Sequence, residues 1–146
     1  MIMENLYNEL LLKTKDEIPK KEFEEIMNQC MCEYEYNFLG FLEVYYAASL
    51  FVPKSRIIID FGCYLAAQSY FFKDHAKYIG VDVVDLKRFN PGNAEHYICS
   101  IQEFIENHPE TLTDDKVFAI CSYVPDFNAA DLVKKSYKNC LVYYPA

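Results

Sequence analysis

The sequence predicts a doubly wound α/β fold, a mainly parallel sheet of about five strands with helices on both faces and a helical N-terminal extension. Three observations lead there. Short apolar runs alternate with helix-like segments after residue 56, so that each run has a crossover to the next. The first of these runs, Ile57 to Phe61, ends abruptly in the acid Asp60 and Phe61 and is followed by Gly62, as a buried strand does where it turns into a helix beside a ligand. Before residue 53 the apolar spacing is helical throughout.

The elements follow in chain order. Leu6, Leu10, Leu11 and Leu12 mark an amphipathic start, and Pro19 suits the first turn of a second helix carrying Phe23, Ile26, Met27 and Cys30. Apolar and aromatic residues then run from Tyr34 through Tyr45, Tyr46 and Leu50, with Gly40 read as a break or close-contact point, until Pro53 stops the helix. Strands are expected at Ile57 to Phe61, Tyr78 to Val84, His96 to Cys99, Val117 to Tyr123 and Cys140 to Tyr144, because these runs are short and the first two are rich in β-branched residues. Leu65 to Phe72, Ile101 to Asn107 and Phe127 to Tyr137 are expected as helices, and Lys87 to Ala94, with Pro91 and Gly92, as loop. The chain reads as one domain, with residues 1–52 as the helical region and 53–146 as a Rossmann-like core.

Composition narrows the classes of function. With 146 residues and 52% hydrophobic content the chain can bury a core without metals or disulfides. A net charge of -8 disfavours an extended nucleic-acid footprint, since backbone binding needs clustered Lys and Arg. Lys13, Lys15, Lys20 and Lys21 are interleaved with Asp16, Glu17, Glu22, Glu24 and Glu25, which reads as a solvated helix start. No run approaches the length needed to span a bilayer, and no leader segment is recognisable, so a cytoplasmic location and no membrane partner are expected. Cys63, Cys99, Cys121 and Cys140 lie in or beside apolar runs, as reduced thiols do; Cys30 and Cys32 stand two apart in a helical segment, a poor spacing for one metal ion, and no metal site is expected. Neighbouring pairs such as Tyr45-Tyr46 and Tyr143-Tyr144 cannot both face one side of a regular element, which leaves a homo-oligomer or a partner chain as an expectation.

In an open parallel sheet, ligands gather outside the carboxyl ends of the strands. Here those ends carry Asp60 and Gly62, then Gly80, Val81 and Asp82, then Cys99 and Ser100, then Ser122, Tyr123, Val124, Pro125 and Asp126. This arrangement resembles the class I S-adenosylmethionine-dependent methyltransferases over about residues 50 to 146, the limits being those of pattern alignment. The resemblance implies S-adenosylmethionine as cofactor and methyl transfer to an unknown substrate as the activity. It implies that Asp60, Gly62 and Cys63 begin the loop against the methionine half, and that Asp82, in Tyr78-Ile79-Gly80-Val81-Asp82, accepts hydrogen bonds from the ribose hydroxyls. It places Ser100 and Ile101 beside the adenine, and Ser122, Tyr123, Pro125 and Asp126 on the substrate side; the catalytic residues stay unassigned.

The sequence departs from the family where further glycines are usual: Tyr64 and Ala66 stand there, and a tyrosine side chain is able to fill the volume of the methionine moiety. The order Ser122-Tyr123-Val124-Pro125 also differs from the Asn/Asp-Pro-Pro-aromatic signature of amino-group methyltransferases. Two alternatives therefore stand beside the enzyme. One is a non-catalytic structural or interaction module of the same fold, with Tyr64 in the old pocket. The other is an NAD-type nucleotide domain, against which a single loop glycine argues, because pyrophosphate needs close backbone approach. Plain structural roles are open too: Asp60 as cap of a following helix, Asp82 as a solvated turn acid, and Asp126 as a helix cap; Asp85 is the alternative to Asp82 as the binding acid if the second strand ends later. His75, His96 and His108 lack regular spacing with a nucleophile and read as surface or loop residues.

Overall fold

A computed structural model describes residues 38–122 and 124–143, together with Glu25. Five parallel strands, β1 (Ile57–Phe61), β2 (Lys77–Asp82), β3 (Ala94–Ile98), β4 (Val117–Ser122) and β5 (Cys140–Tyr143), form one sheet in the order β3-β2-β1-β4-β5. The chain moves outward from β1 to β3 and returns to lay β4 against the other side of β1, so the order reverses between β1 and β4. The two central strands are buried on both faces, which is why they read as continuous apolar runs, whereas the edge strands β3 and β5 are only partly covered.

Strand parity divides the core into two layers. Ile58, Tyr78, Phe118 and Ile120 pack against Val44, Tyr45, Ala47, Ala48 and Val52 from α1 (Phe38–Phe51) and the residue after it. Ile59, Phe61, Ile79, Val81, Val117, Ala119 and Cys121 pack on the opposite face against Ile101, Phe104 and Ile105 of α2 (Ile101–Asn107) and Ala130 and Val133 of α3 (Phe127–Ser136). Helices on both faces of a parallel sheet make the fold doubly wound, as the sequence predicts. No helix among the described residues is long and apolar enough to cross a membrane.

Two expectations about elements are corrected. The helix foreseen from Leu65 to Phe72 is a 3-10 turn over Ala67–Phe72, entered through left-handed residues at Tyr64 and Ala66. Gln68 explains part of this, because its amide is drawn to Asp60 and to the Cys63 carbonyl, and the tight turn buries Ala67, Gln68, Ser69 and Phe72 together. Gly40 does not break α1, which runs unbroken across it; one helical glycine costs only about 1 kcal/mol relative to alanine. The segment between β2 and β3 has no helix, in keeping with its proline and glycine. The neighbouring tyrosines of α1 separate as expected: Tyr45 is fully buried, and Tyr46 meets the Phe71 ring at 5.1 Å. The foreseen helices before residue 38, Cys30, Cys32 and Tyr144 lie outside the described residues.

Candidate functional site

The carboxyl ends of β1, β2 and β4 bring Asp60, Gly62, Cys63, Asp82 and Ser122 to the place where the strand order reverses. Ser100 and Ile101 follow β3, three strands from β4; at about 4.8 Å per strand the edge from Ser100 to Ser122 spans roughly 14 Å, the scale of a nucleoside with a short substituent.

The loop after β1 has a regular backbone signature. Gly62, Tyr64 and Ala66 have φ values of 82°, 50° and 57°, so alternate residues are left-handed although only the first is glycine. Non-glycine residues pay for this conformation and persist in it where their surroundings over-determine it. Here the Gly62 and Cys63 amides both donate to the Val81 carbonyl, at 2.8 and 3.2 Å, and the Ala66 amide donates to the Cys63 carbonyl at 2.7 Å. The Tyr64 amide donates to Asp82 Oδ2 at 2.8 Å, tying the loop to the acid that ends β2. Asp82 Oδ1 accepts from the Val84 amide at 3.1 Å. A carboxylate offers about four acceptor positions, so two remain for further donors on this half-buried side chain.

Asp60 is placed differently. It does not cap the next element; its carboxylate points into the α1 layer and is completely buried. Tyr45 donates to Oδ1 at 3.2 Å, while Gln68, at 2.7 Å, and Tyr78 donate to Oδ2. Burial pushes the carboxyl up to about 7 against the opposing pull of these three donors, with the Asp82 charge adding to the rise. The Tyr45 and Tyr78 hydroxyls are raised well above their ordinary value, first by burial and then by the Asp60 charge. Cys63 is buried beside this group, and desolvation raises its thiol far from the range of a nucleophile. Asp60 is thus a buried acid joining β1 to α1, β2 and the 3-10 turn.

The remaining residues named from sequence have clear local positions. Ser100 is the N-cap of α2, accepting from the Glu103 amide at 3.1 Å while Glu103 Oε1 accepts from the Ser100 amide, a complete capping box. Ile101 sits in the core layer beneath α2. Asp126 caps α3, its Oδ1 accepting from the Asn128 and Ala129 amides at 2.9 and 3.3 Å. Pro125 is exposed; Ser122 is buried on the α1 side of the sheet, its hydroxyl near that of Tyr45; Tyr123 lies outside the described residues. Val124 packs over Gly62 so closely that a Cβ on the glycine would lie 2.6 Å from Val124 Cγ2.

Sequence reasoning missed Tyr45, Gln68, Tyr78 and Arg88. Tyr78 shares strand parity with Gly80 and Asp82, a usable signal, but the approach of Tyr45 and Gln68 to Asp60 is tertiary and leaves no local pattern. The histidines expected at the surface include two that are largely enclosed: His75 donates from Nε2 to the Val52 carbonyl and His96 from Nε2 to the Phe89 carbonyl, both at 3.0 Å. The arrangement is equipped to bind a hydroxyl-bearing ligand at Asp82, whereas its most perturbed acid and thiol are sealed in the core. No family model, curated protein or solved structure matches the chain, so the functional reading rests on the chemistry of its own residues.

Proposed function

We propose that this chain is a methyltransferase-like domain that binds S-adenosylmethionine across the carboxyl ends of β1, β2 and β4, with the methyl acceptor on the β4 side. One observation carries the reading: the left-handed positions at Gly62, Tyr64 and Ala66, with the Tyr64 amide closed onto Asp82. That geometry joins a tight strand-to-turn loop to a carboxylate with two acceptor positions left, which suits a ribose bearing two hydroxyls. Bound there, the cofactor would supply an electrophilic methyl group. The chain's own contribution would be alignment of donor and acceptor, the main requirement of methyl transfer. Ser122, Pro125 and Asp126 stand at the end of β4, where that acceptor would lie.

A second reading, a non-catalytic module of the same fold, draws support from Val124. Its methyl group fills the space over Gly62, the position that in the resembled family faces the methionine half of the cofactor. Calorimetric titration with S-adenosylmethionine and S-adenosylhomocysteine separates the two. Binding is expected for the native protein, weakened about tenfold or more by Asp82→Ala, the scale of one lost hydrogen bond to a charged group. No binding of either compound at millimolar concentration would leave the module reading, and binding indifferent to the substitution would remove Asp82 from the site.

A further inference from the structure

Arg88 lies in the irregular segment between β2 and β3 and is partly buried, yet its terminal nitrogens are directed at no carboxylate among the described residues. Nη1 donates to the Gly80 and Tyr97 carbonyls at 3.2 and 3.0 Å, and Nη2 donates to the Asp82 and Val84 carbonyls at 3.0 and 3.3 Å. Four terminal N–H groups thus meet four backbone oxygens on β2, on β3 and on the turn after β2. The planar fork of a guanidinium suits this; an ammonium on a flexible stem cannot reach all four at once.

The next residue closes the arrangement into a ring. The Phe89 amide donates to the Leu65 carbonyl at 2.8 Å, and the Phe89 carbonyl accepts from His96 Nε2. Leu65 follows Tyr64, whose amide is held by Asp82 Oδ2, and Asp82 in turn offers its carbonyl to Arg88. The loop after β1, the acid ending β2 and the segment holding Arg88 therefore fix one another. Asp82 Oδ1 accepts from the Val84 amide, while Arg88 holds the carbonyls of both Asp82 and Val84, so the guanidinium sets the turn from which the carboxylate projects.

We propose that Arg88 is the positioning residue of the nucleoside site: its clamp on the β2 and β3 carbonyls fixes the Asp82–Val84 turn and the loop after β1 so that Asp82 meets a ribose diol. This role rests on the nucleoside reading given above. Arg88 touches no ligand in it. It acts through Asp82, so its loss blurs recognition of the ribose hydroxyls as well as lowering affinity.

The test pairs a binding comparison with a measurement that needs no ligand. S-adenosylhomocysteine and its 2′-deoxyribosyl analogue are titrated into the wild-type protein, Arg88→Met and Arg88→Lys. The wild-type protein is expected to favour the ribosyl compound about tenfold, the worth of a hydrogen bond to a charged acceptor; the preference should collapse to about twofold or less in R88M and be partly restored in R88K. In the unliganded proteins, amide exchange at Tyr64 and Val84 should accelerate about tenfold or more in R88M while the Ile59 and Ile120 amides of the central strands keep their protection. R88K retains the charge and the stem and supplies a folded comparison should R88M be unstable. Wild-type preference for the ribosyl compound in R88M, or unchanged exchange at Tyr64, would overturn the role of Arg88 alone. Failure of the wild-type protein to bind either compound would overturn the nucleoside reading, and this role with it, even where exchange reveals the clamp.

Discussion

Gly62 is held by two separate constraints. Its φ of 82° lies where a Cβ is strained, and the same Cβ would meet Val124 Cγ2 at 2.6 Å. Gly62→Ala should therefore destabilise the fold by about 2–4 kcal/mol, combining left-handed strain with overpacking. In a Val124→Ala background the clash is relieved, and the cost of the same change should fall to about 1–2 kcal/mol, the strain alone. Urea unfolding of the four proteins in this cycle measures the coupling. Equal costs in both backgrounds would show that Val124 does not press on the loop. The same position shows where sequence was legible and where it was not. A glycine after an acid at the end of an apolar run announces a tight turn, because glycine alone enters the left-handed region without penalty. Tyr64 and Ala66 adopt that region through their hydrogen bonds to Asp82 and Cys63, and no residue-type preference of tyrosine or alanine signals it.

Among the elements, strands were read from sequence with bounds close to those observed because a strand buried on both faces needs an unbroken apolar run, which β1 and β4 supply. The segment after β1 was not, since apolar residues three or four apart suit a buried 3-10 turn as well as a helix, and the choice is made by Gln68 turning to Asp60. Helix ends were legible to the extent that capping chemistry is local. Asp126, ahead of the apolar spacing of α3, reads as a cap and is one, whereas Ser100, which the resemblance gives to the adenine side, is in the structure half of a capping box with Glu103. Asp126→Ala should cost about 1 kcal/mol and Asp126→Asn only a few tenths, because an asparagine oxygen still accepts from the Asn128 and Ala129 amides. Thermal or urea unfolding checks both; an alanine variant as stable as wild type would mean that water satisfies the start of α3 equally well.

At the scale of the whole molecule, Asp60 links four elements, with donors from α1, β2 and the 3-10 turn converging on β1 at the centre of the sheet. Its carboxyl, raised by burial from 3.8 to about 7, keeps its proton in the folded protein at pH values where the unfolded chain has released it. Between these two limits the folded state binds more protons, so this group's contribution to stability is complete below about pH 4, the ordinary carboxyl value, and is lost as pH rises through about 7. Burial lowers His75 and His96 below their ordinary value, which acts in the opposite sense: the unfolded chain takes up the proton first, and stability gained from keeping them neutral grows with pH. The wild-type profile is therefore a sum of opposed terms, and the informative quantity is its difference from Asp60→Asn, in which the histidines cancel. Asparagine cannot ionise; its single oxygen takes the place of Oδ2 for Tyr78 and Gln68, and its amide nitrogen faces the Tyr45 hydroxyl, which can turn to accept. The stability of wild type relative to this variant should decline from pH 5 to pH 7 with a slope approaching about 1.4 kcal/mol per pH unit, the limit for one proton. Urea unfolding of both proteins across that range measures it. Parallel profiles would mean that Asp60 titrates alike in the folded and unfolded chains, and that the hydrogen bonds of Tyr45, Gln68 and Tyr78 fully offset the cost of burying its charge.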